Sequence, residues 1–227
     1  MKLKIILAVG IFALTAISFL PVFDTTAKNK NIAERFASDT KKKDTGVTGT
    51  YNFDKAHTFI GFQAKHMGLI NVPGYFRDFT GTVNFDAADM KKSSVEFSAK
   101  IASVDTGAAG RNSHLQKEEF FDAEKYPEMI FKSTKLEKKG KQWMMTGDLT
   151  MRGVTKSVSF PFEVVGFIAG ERGTRMGITA ETSVNRRDYG INYDSKLPNG
   201  TPSVSDEIKV TLQIEATMSA AAKPAAE

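Results

Sequence analysis

The chain has 227 residues, enough for one β domain with a substantial core, and it contains no cysteine, which excludes disulfides, thiolate metal sites and a catalytic thiol. Its formal net charge is +5, but residues 1–45 carry eight of the 31 basic and four of the 26 acidic side chains, which leaves 23 basic and 22 acidic side chains in residues 46–227. Residues 46–227 therefore lack the excess of basic side chains that binds a phosphate backbone, so we expect no nucleic acid partner.

The amino terminus has the pattern of a secretory signal. A basic stretch at residues 1–4 precedes an apolar run at residues 5–20, which is the order found in such signals. We therefore interpret residues 1–27 as a signal peptide and expect a periplasmic or secreted protein. The apolar run approaches the length that spans a bilayer, so an uncleaved N-terminal membrane anchor, with membrane association through this segment, is the alternative.

Two further segments have the composition of unstructured chain. Residues 28–48 are polar and charged, and we interpret them as a linker with a short helix near residues 31–38. Residues 219–227 are short and rich in alanine, and we interpret them as a disordered tail. The domain itself is therefore predicted to span residues 49–218.

Within the domain, apolar residues recur at every second position. Such alternation is typical of half-buried antiparallel strands rather than of helices. Turn residues, including those at 71–74, separate the alternating segments. We expect eight or nine strands, near residues 50–55, 58–67, 75–86, 93–104, 128–138, 141–151, 155–167, 174–185 and 206–218.

One stretch, residues 103–134, interrupts the alternation. Asn112 or Ser113 can cap a short helix within residues 111–125, which would then carry Glu118 and Glu119. Just before it, the segment DTG at residues 105–107 predicts an Asx-type turn, because glycine supplies the backbone angles that such a turn needs.

Many strands with one apolar face predict a sandwich or a closed barrel, and closure removes exposed strand edges. A barrel of about eight strands is either filled by its own side chains or holds one elongated ligand. Seventeen phenylalanines and nine methionines against one tryptophan indicate a flexible, apolar interior. Since every β domain has apolar inward faces, composition by itself leaves a packed core as the alternative to a ligand cavity.

Several motifs occur in a fixed order along residues 50–217. They are DKAHT at 54–58, KHM at 65–67, VPGYF at 72–76, SVDTG at 103–107 with Arg111 and His114, FKST at 131–134, GDLT at 147–150, RDYG at 187–190 and DEI at 206–208. Together they resemble the YceI family of bacterial polyisoprenoid-binding or lipid-binding proteins. The resemblance implies an all-β, lipocalin-like antiparallel barrel of eight or nine strands with one helical insertion.

The resemblance also implies an exported binding protein whose apolar tunnel holds an isoprenoid or another long-chain amphiphile. One departure from the family pattern stands at Asn112, where the family often has aspartate after the arginine. This substitution removes a carboxylate and puts a charge-pairing role of position 112 in doubt.

Donor side chains near the tunnel entrance are the candidates for contact with a ligand head group, such as a pyrophosphate, hydroxyl or carbonyl. Arg187 next to Asp188 has a surface ion pair as its alternative role. The head-group candidates are Arg111, His114, Arg187, His57 and His66. The inward positions of the strands predict the tunnel lining, with simple core packing as the alternative for each: Phe62, Phe97, Phe121, Phe131, Met145, Phe160, Phe162, Ile178 and Leu212.

The residues provide little support for catalysis or for a metal centre. The three histidines have neither H-x-H nor H-x-x-x-H spacing, so we predict neither a metal site nor a cofactor. Ser113 and His114 are adjacent, so their side chains point apart, and no nucleophile elbow surrounds Ser113. Glu118 and Glu119 likewise diverge if they lie on a helix. We therefore predict no enzymatic activity.

Three hypotheses follow. The first is a protein that binds a long-chain amphiphile in order to transport, store or sequester it. The second is a hydrolytic or metal-dependent enzyme that acts on such amphiphiles. The third is a structural envelope protein whose barrel is filled by side chains. Homodimer formation is left open by the sequence.

Overall fold

The computed structural model describes residues 46–171 and 173–219. The expected signal or anchor segment, the linker up to residue 45 and the tail from residue 220 lie outside these ranges. No helix in the described ranges has the length and apolar character needed to cross a membrane.

The described residues contain one α-helix, α1 (Ala109–Leu115), and eleven strands: β1 (Gly49–Phe53), β2 (Phe59–His66), β3 (Ile70–Phe76), β4 (Phe79–Phe85), β5 (Ser94–Lys100), β6 (Val104–Asp105), β7 (Glu128–Lys139), β8 (Gln142–Met151), β9 (Val154–Gly170), β10 (Gly173–Asn185) and β11 (Val204–Ser219).

Eight of these strands form a closed antiparallel barrel in the order β1-β4-β5-β7-β8-β9-β10-β11. The ring closes where β1 pairs with the end of β11, with Asn52 opposite Thr217 and Phe53 opposite Ala216. The first part of β11 pairs instead with β2, which continues through β3 to the short strand β6. The predicted antiparallel barrel of eight or nine strands with one short helical insertion is therefore confirmed, and its ring has eight strands.

Two predicted strands are each broken into two. The strand expected at 75–86 is the end of β3 and then β4, separated at Arg77 and Asp78, and the strand expected at 93–104 ends at Lys100 before a 3-10 turn at Ile101–Ser103. The two breaks lie side by side, since the Arg77 N–H donates to the Ser103 carbonyl and the Lys100 N–H to the Asp78 carbonyl. Because each break satisfies the backbone groups of the other, neither requires a regular ladder.

The predicted turn at residues 71–74 is wrong, because these residues belong to β3. Pro73 is tolerated there because this part of β3 pairs only with β2, so no neighbour requires the missing N–H. The chain reverses earlier, at Met67 and Gly68, which have φ of 51° and 72°.

The helix expected at 111–125 is also wrong in its limits. The helix α1 begins at Ala109, its preceding residue Ala108 makes no side-chain cap, and Glu118 and Glu119 lie in turns beyond its end. Asn112 lies inside the helix, where its side chain is used to bind the preceding loop rather than to cap the helix.

Inward residues of the barrel strands form one continuous apolar core. Phe97 stacks on Phe131 with ring centroids 5.7 Å apart, and Phe131 contacts Phe160 at 5.6 Å. These aromatic contacts join β5, β7 and β9 across the interior. They fill that part of the barrel with protein side chains.

Candidate functional site: an apolar cavity with a polar mouth

An apolar cavity of about 110 Å³ lies where β2, β7, β8, β10 and β11 converge. The end of α1 and the segment that follows it cover part of this cavity, because Leu115, Phe120 and Phe121 contribute to its lining. Arg186 is the one charged residue of the lining. The apolar lining consists of Phe62, Ala64, Phe76, Leu115, Phe120, Phe121, Met129, Leu149, Met151, Val184, Ile191, Val204 and Ile208.

A second space of about 200 Å³ adjoins this cavity and shares Phe62, Ala64, Leu115, Phe120 and Val204 with it. We call it the mouth. Unlike the cavity, the mouth has several hydrogen-bonding side chains. They are His66, Thr106, Arg111, His114, Tyr193 and Ser203.

Three of the five head-group candidates, His66, Arg111 and His114, therefore lie together at the mouth. Arg111 is oriented by Thr106, because its Nε donates to Thr106 Oγ1 and its Nη2 to the Thr106 carbonyl, both at 2.7 Å. The His114 ring pairs with the carboxylate of Glu119 and packs edge-on against Phe120. Contact of these three side chains with a head group stays a prediction.

Asp105 organises the loop in front of α1. Its carboxylate accepts hydrogen bonds from the Gly107 N–H at 2.8 Å, Arg77 Nε at 2.7 Å and Asn112 Nδ2 at 3.2 Å. The Gly107 backbone bond, followed by those from Arg77 and Asn112, holds the pKa of Asp105 well below its usual range. With Gly107 at a φ of 78°, this is the predicted Asx turn, which is confirmed.

The same geometry explains why asparagine suits position 112. Asn112 Oδ1 accepts from the Thr106 N–H at 2.9 Å and from Thr106 Oγ1 at 2.7 Å, while its Nδ2 donates to Asp105. An aspartate would present a second carboxylate to Asp105 instead of a donor. The residue that departs from the family pattern therefore binds the loop to the helix.

Arg186, which the sequence reasoning missed, is the buried cation of the cavity wall and is 4% exposed. Its guanidinium donates to the carbonyls of Ile191 at 2.7 Å, Tyr193 at 2.8 Å and Ser205 at 3.1 Å, and to Asp206 Oδ1 at 2.7 Å. Burial lowers the pKa of Arg186, and the negative charge of Asp206 opposes that shift. Strand alternation could have indicated that Arg186 faces inward, because it continues the series of inward, even-numbered residues in β10.

A second arginine, Arg152, lies in the turn between β8 and β9. Its Nη1 donates to the Gly190 carbonyl, and its Nη2 donates to the Glu118 carbonyl at 2.6 Å. Arg152 holds a φ of 51°, a conformation that costs a side-chain-bearing residue about 1 kcal/mol. It connects the barrel to both segments that cover the cavity.

A model of the YceI-like domain matches residues 51–216. The chain belongs to the YceI family. Protein YceI of Escherichia coli O157:H7 is 35% identical over 164 residues, which cover 70% of this chain and 85% of that protein.

Solved structures agree with the YceI barrel. The YCEI protein of Campylobacter jejuni is 32% identical, with a TM-score of 0.59 over 69% of this chain and 90% of that one. A polyisoprenoid-binding domain from Saccharophagus degradans, implicated in plant cell wall breakdown, has a TM-score of 0.57 over 75% of this chain and 99% of its own. At 14% identity, that second likeness concerns the fold alone.

The remaining head-group candidates of this YceI barrel lie away from the mouth. Arg187 binds Asp194 through Nη2 at 2.7 Å and lies 2.7 Å from Asp206 through Nε, so its acidic partners are not the neighbouring Asp188. His57 Nδ1 lies 2.9 Å from Asp54 Oδ2 and 3.9 Å from Glu215 Oε1. The hydrogen bond from His57 is the main cause of a lowered pKa at Asp54.

Asp54, His57 and Glu215 bring three possible metal-ligand atoms within 4.8 Å of one another. The sequence did not suggest this cluster, because Glu215 lies on a distant strand. Arg175 already pairs with both carboxylates, at 3.5 Å from Asp54 Oδ2 and more closely at Glu215. A metal ion would have to displace this guanidinium, which already offsets the negative charge of the two carboxylates.

Two of the nine residues predicted to line the tunnel, Phe62 and Phe121, line the cavity. The other seven belong to the packed core and are between 3% and 8% exposed: Phe97, Phe131, Met145, Phe160, Phe162, Ile178 and Leu212. The sequence reasoning missed Met129 and Met151 of the lining, although strand alternation contained the signal, since they share inward faces with Phe131 and Met145. Phe120 had no such signal, because it lies in a turn.

Proposed function

We propose that this YceI barrel binds a long-chain amphiphile such as a polyisoprenoid, and thereby transports, stores or sequesters it. The observation that carries the proposal is the division of the site into an apolar cavity and a mouth with hydrogen-bonding side chains. The apolar chain would occupy the cavity, and the head group would lie near Arg111, His66 and His114.

Burial of the chain would provide most of the affinity, since each buried methylene contributes about 0.8 kcal/mol. A few donors at the mouth are sufficient to orient one polar end. The Saccharophagus degradans domain is described as polyisoprenoid-binding, and it shares this fold. This likeness supports the same ligand class here.

A long chain needs more space than the cavity has, so its binding requires movement of core side chains. Met129 and Met151 are suited to such movement because methionine is unbranched and flexible. Displacing the neighbouring phenylalanines would extend the cavity toward Phe131 and Phe160. We propose that the seven predicted lining residues then contact the ligand.

We further propose export of the protein through residues 1–27, since a periplasmic location would suit a carrier of envelope lipids. We favour binding over catalysis at the mouth, because the serine and threonine hydroxyls that line it donate to groups other than an imidazole: Ser203 Oγ to the Ser195 carbonyl and Thr106 Oγ1 to Asn112 Oδ1. Separate replacement of His57, His66 and His114 tests the enzymatic hypothesis. Loss of substrate turnover with retained lipid binding would favour an enzyme.

The decisive experiment is native mass spectrometry and solvent extraction of the full chain purified from its own host. A pair of variants on β2 sharpens it. Ala64 lines the cavity and the mouth, whereas Gln63 is exposed on the opposite face of the strand. We expect a co-purified lipid in the parent and in Gln63→Phe, and its loss in Ala64→Phe.

Thermal unfolding of both variants verifies that the barrel remains folded. An empty parent protein that also fails to bind long-chain probes would reject the carrier proposal. That result would favour the structural alternative, for which the filled region around Phe97, Phe131 and Phe160 is the supporting observation.

A further inference from the structure

The hairpin between β2 and β3 ends in an apolar tip. Met67 and Gly68 form its turn at positive φ, and the Leu69 N–H donates to the His66 carbonyl at 2.9 Å to close it. Leu69 and Ile70 are 78% and 63% exposed. Turns with two positive φ values ordinarily contain asparagine, aspartate or glycine. Gly68 fits this preference and Met67 does not. Leu69 and Ile70 follow the turn at ordinary backbone angles, so hairpin geometry does not explain why two large apolar side chains are exposed there.

This tip is part of the rim of the mouth. His66 and Val72, on either side of it, line the mouth, and the Met67 N–H donates to the carbonyl of Ser203, another lining residue, at 3.1 Å. The tip is thus held by a backbone hydrogen bond to the loop that precedes β11. It presents Leu69 and Ile70 beside the opening rather than at a remote place on the barrel.

The rim is also basic. It consists of three segments, residues 59–76, 106–117 and 195–205, which contain no aspartate or glutamate. Within the described part of the chain, three of their four basic side chains form no ion pair, and Lys196 alone pairs, with Asp194 at 3.3 Å. The three unpaired side chains are Lys65, Arg111 and Lys117.

Carboxylates next to these segments do little to neutralise the rim. Four lie directly at the segment ends, and three of them are bound to arginines outside the segments. The pairs are Asp105 with Arg77, Asp194 with Arg187, and Asp206 with Arg186. Glu118, which follows Lys117, has no such partner in the described ranges, and Glu119 pairs with His114 of the rim itself. The rim therefore combines a local positive charge with an exposed apolar tip.

We propose that this rim docks on the surface of an anionic lipid bilayer. Leu69 and Ile70 enter the boundary between head groups and acyl chains, while Lys65, Arg111 and Lys117 attract the anionic head groups. A second copy of the rim is a poorer partner, because its charges would be of the same sign. Docking would place the mouth against the membrane from which a long-chain ligand would enter. The functional value of docking therefore rests on the proposed function, the binding of such a ligand.

The absence of cysteine makes a site-specific test direct. The full chain carrying Leu69→Cys is labelled with an environment-sensitive nitrobenzoxadiazole dye and mixed with phosphatidylcholine vesicles with or without phosphatidylglycerol. Ile168→Cys is the matched control, since Ile168 is 67% exposed and lies near the opposite end of β9 from the Arg152 turn. Both proteins retain the N-terminal apolar segment, so membrane binding through that segment is common to them.

We expect the dye at position 69, but not at 168, to shift to the blue with phosphatidylglycerol vesicles and to be quenched by nitroxide-labelled lipids. Replacing both Lys65 and Lys117 by glutamine should raise the anionic-lipid concentration at half-maximal signal roughly thirtyfold, about fivefold for each charge. Added salt should weaken the signal in the parent protein.

An unchanged dye at position 69 in the presence of anionic vesicles would overturn the proposal. A shift that grows with protein concentration without vesicles would assign the tip to contact between copies and would also overturn it. Lipid extraction separates this inference from the proposed function. Retained lipid without a shift rejects docking alone, and a shift without any bound lipid rejects only the carrier.

Discussion

The buried guanidinium of Arg186 lies 2.7 Å from the carboxylate of Asp206 and donates to three backbone carbonyls of the segments around it. These segments, before and within the start of β11, form one wall of the cavity and its mouth. The Arg186 side chain thus holds the backbone of that wall in position. An arginine is suited to this task, because its planar fork donates to several acceptors at once.

Replacing Arg186 by methionine should destabilise the protein by about 3 to 5 kcal/mol. The substitution leaves the carbonyls of Ile191, Tyr193 and Ser205 without their donor, and each buried acceptor left unsatisfied costs about 1 to 3 kcal/mol, while Asp206 keeps Arg187 as a partner. Urea unfolding followed by circular dichroism provides the free energy of unfolding. Arg187→Gln is the matched control and should lose much less, because Arg187 is partly exposed and its pairs are at the surface. Equal losses at the two positions would contradict the structural role assigned to Arg186.

Replacing Arg152 by alanine should destabilise the protein by about 2 to 4 kcal/mol, because two hydrogen bonds from a charged donor are lost. The same change should speed the exchange of a bound fluorescent long-chain probe, since both covering segments lose their link to the barrel. Arg152→Gly removes the same bonds but relieves the backbone strain at φ 51°. It should be about 1 kcal/mol more stable than Arg152→Ala. A glycine variant that is no more stable than the alanine variant would argue against strain.

Asn112→Asp should destabilise the loop before α1 at neutral pH, because it sets a second carboxylate against Asp105. The like charge raises the pKa of the new carboxyl above its unfolded value, so the penalty is complete above the folded pKa and disappears as the pH falls from there to the unfolded pKa. Asp105 stays ionised over this interval, since its own pKa is held low. Denaturation midpoints of parent and variant should therefore differ at neutral pH and converge in mildly acidic buffer. A difference that is independent of pH would point to lost packing instead.

Gly74→Ala should reduce both stability and ligand capacity. A Cβ at Gly74 would lie 2.3 Å from the ring of Phe62, which would have to move into the cavity that it lines. Overpacking of this kind costs about 1 to 3 kcal/mol. The control is Gly110→Ala in α1, where the added methyl meets no atom within 4 Å and should increase stability by about 0.5 to 1 kcal/mol. Thermal unfolding and titration with a long-chain probe measure the two effects, and unchanged probe binding in Gly74→Ala would contradict the assigned position of the cavity.

Much of the fold was predictable because strand alternation is a local property. The limits of β7 to β11 follow the alternating residues closely, and the family motifs identified a barrel of about eight strands. The breaks at Arg77 and at Ile101 were missed, because each is stabilised by hydrogen bonds from the other and neither has a local turn motif. The helix was placed too late, because Asn112 has the residue type of a cap but binds Thr106 and Asp105 from within the helix.

The sequence by itself determined the family, the antiparallel barrel and the inward faces, because these depend on residue order and on a period of two. Only the tertiary structure decided which inward residues surround space and which fill the core around Phe131. It also placed His66, Arg111 and His114 together at one mouth and left His57 and Arg187 elsewhere. The reason is physical: closure brings together residues from strands distant in the chain, and the space between them depends on how all of these side chains pack, including those of the turn residues Phe120 and Phe121.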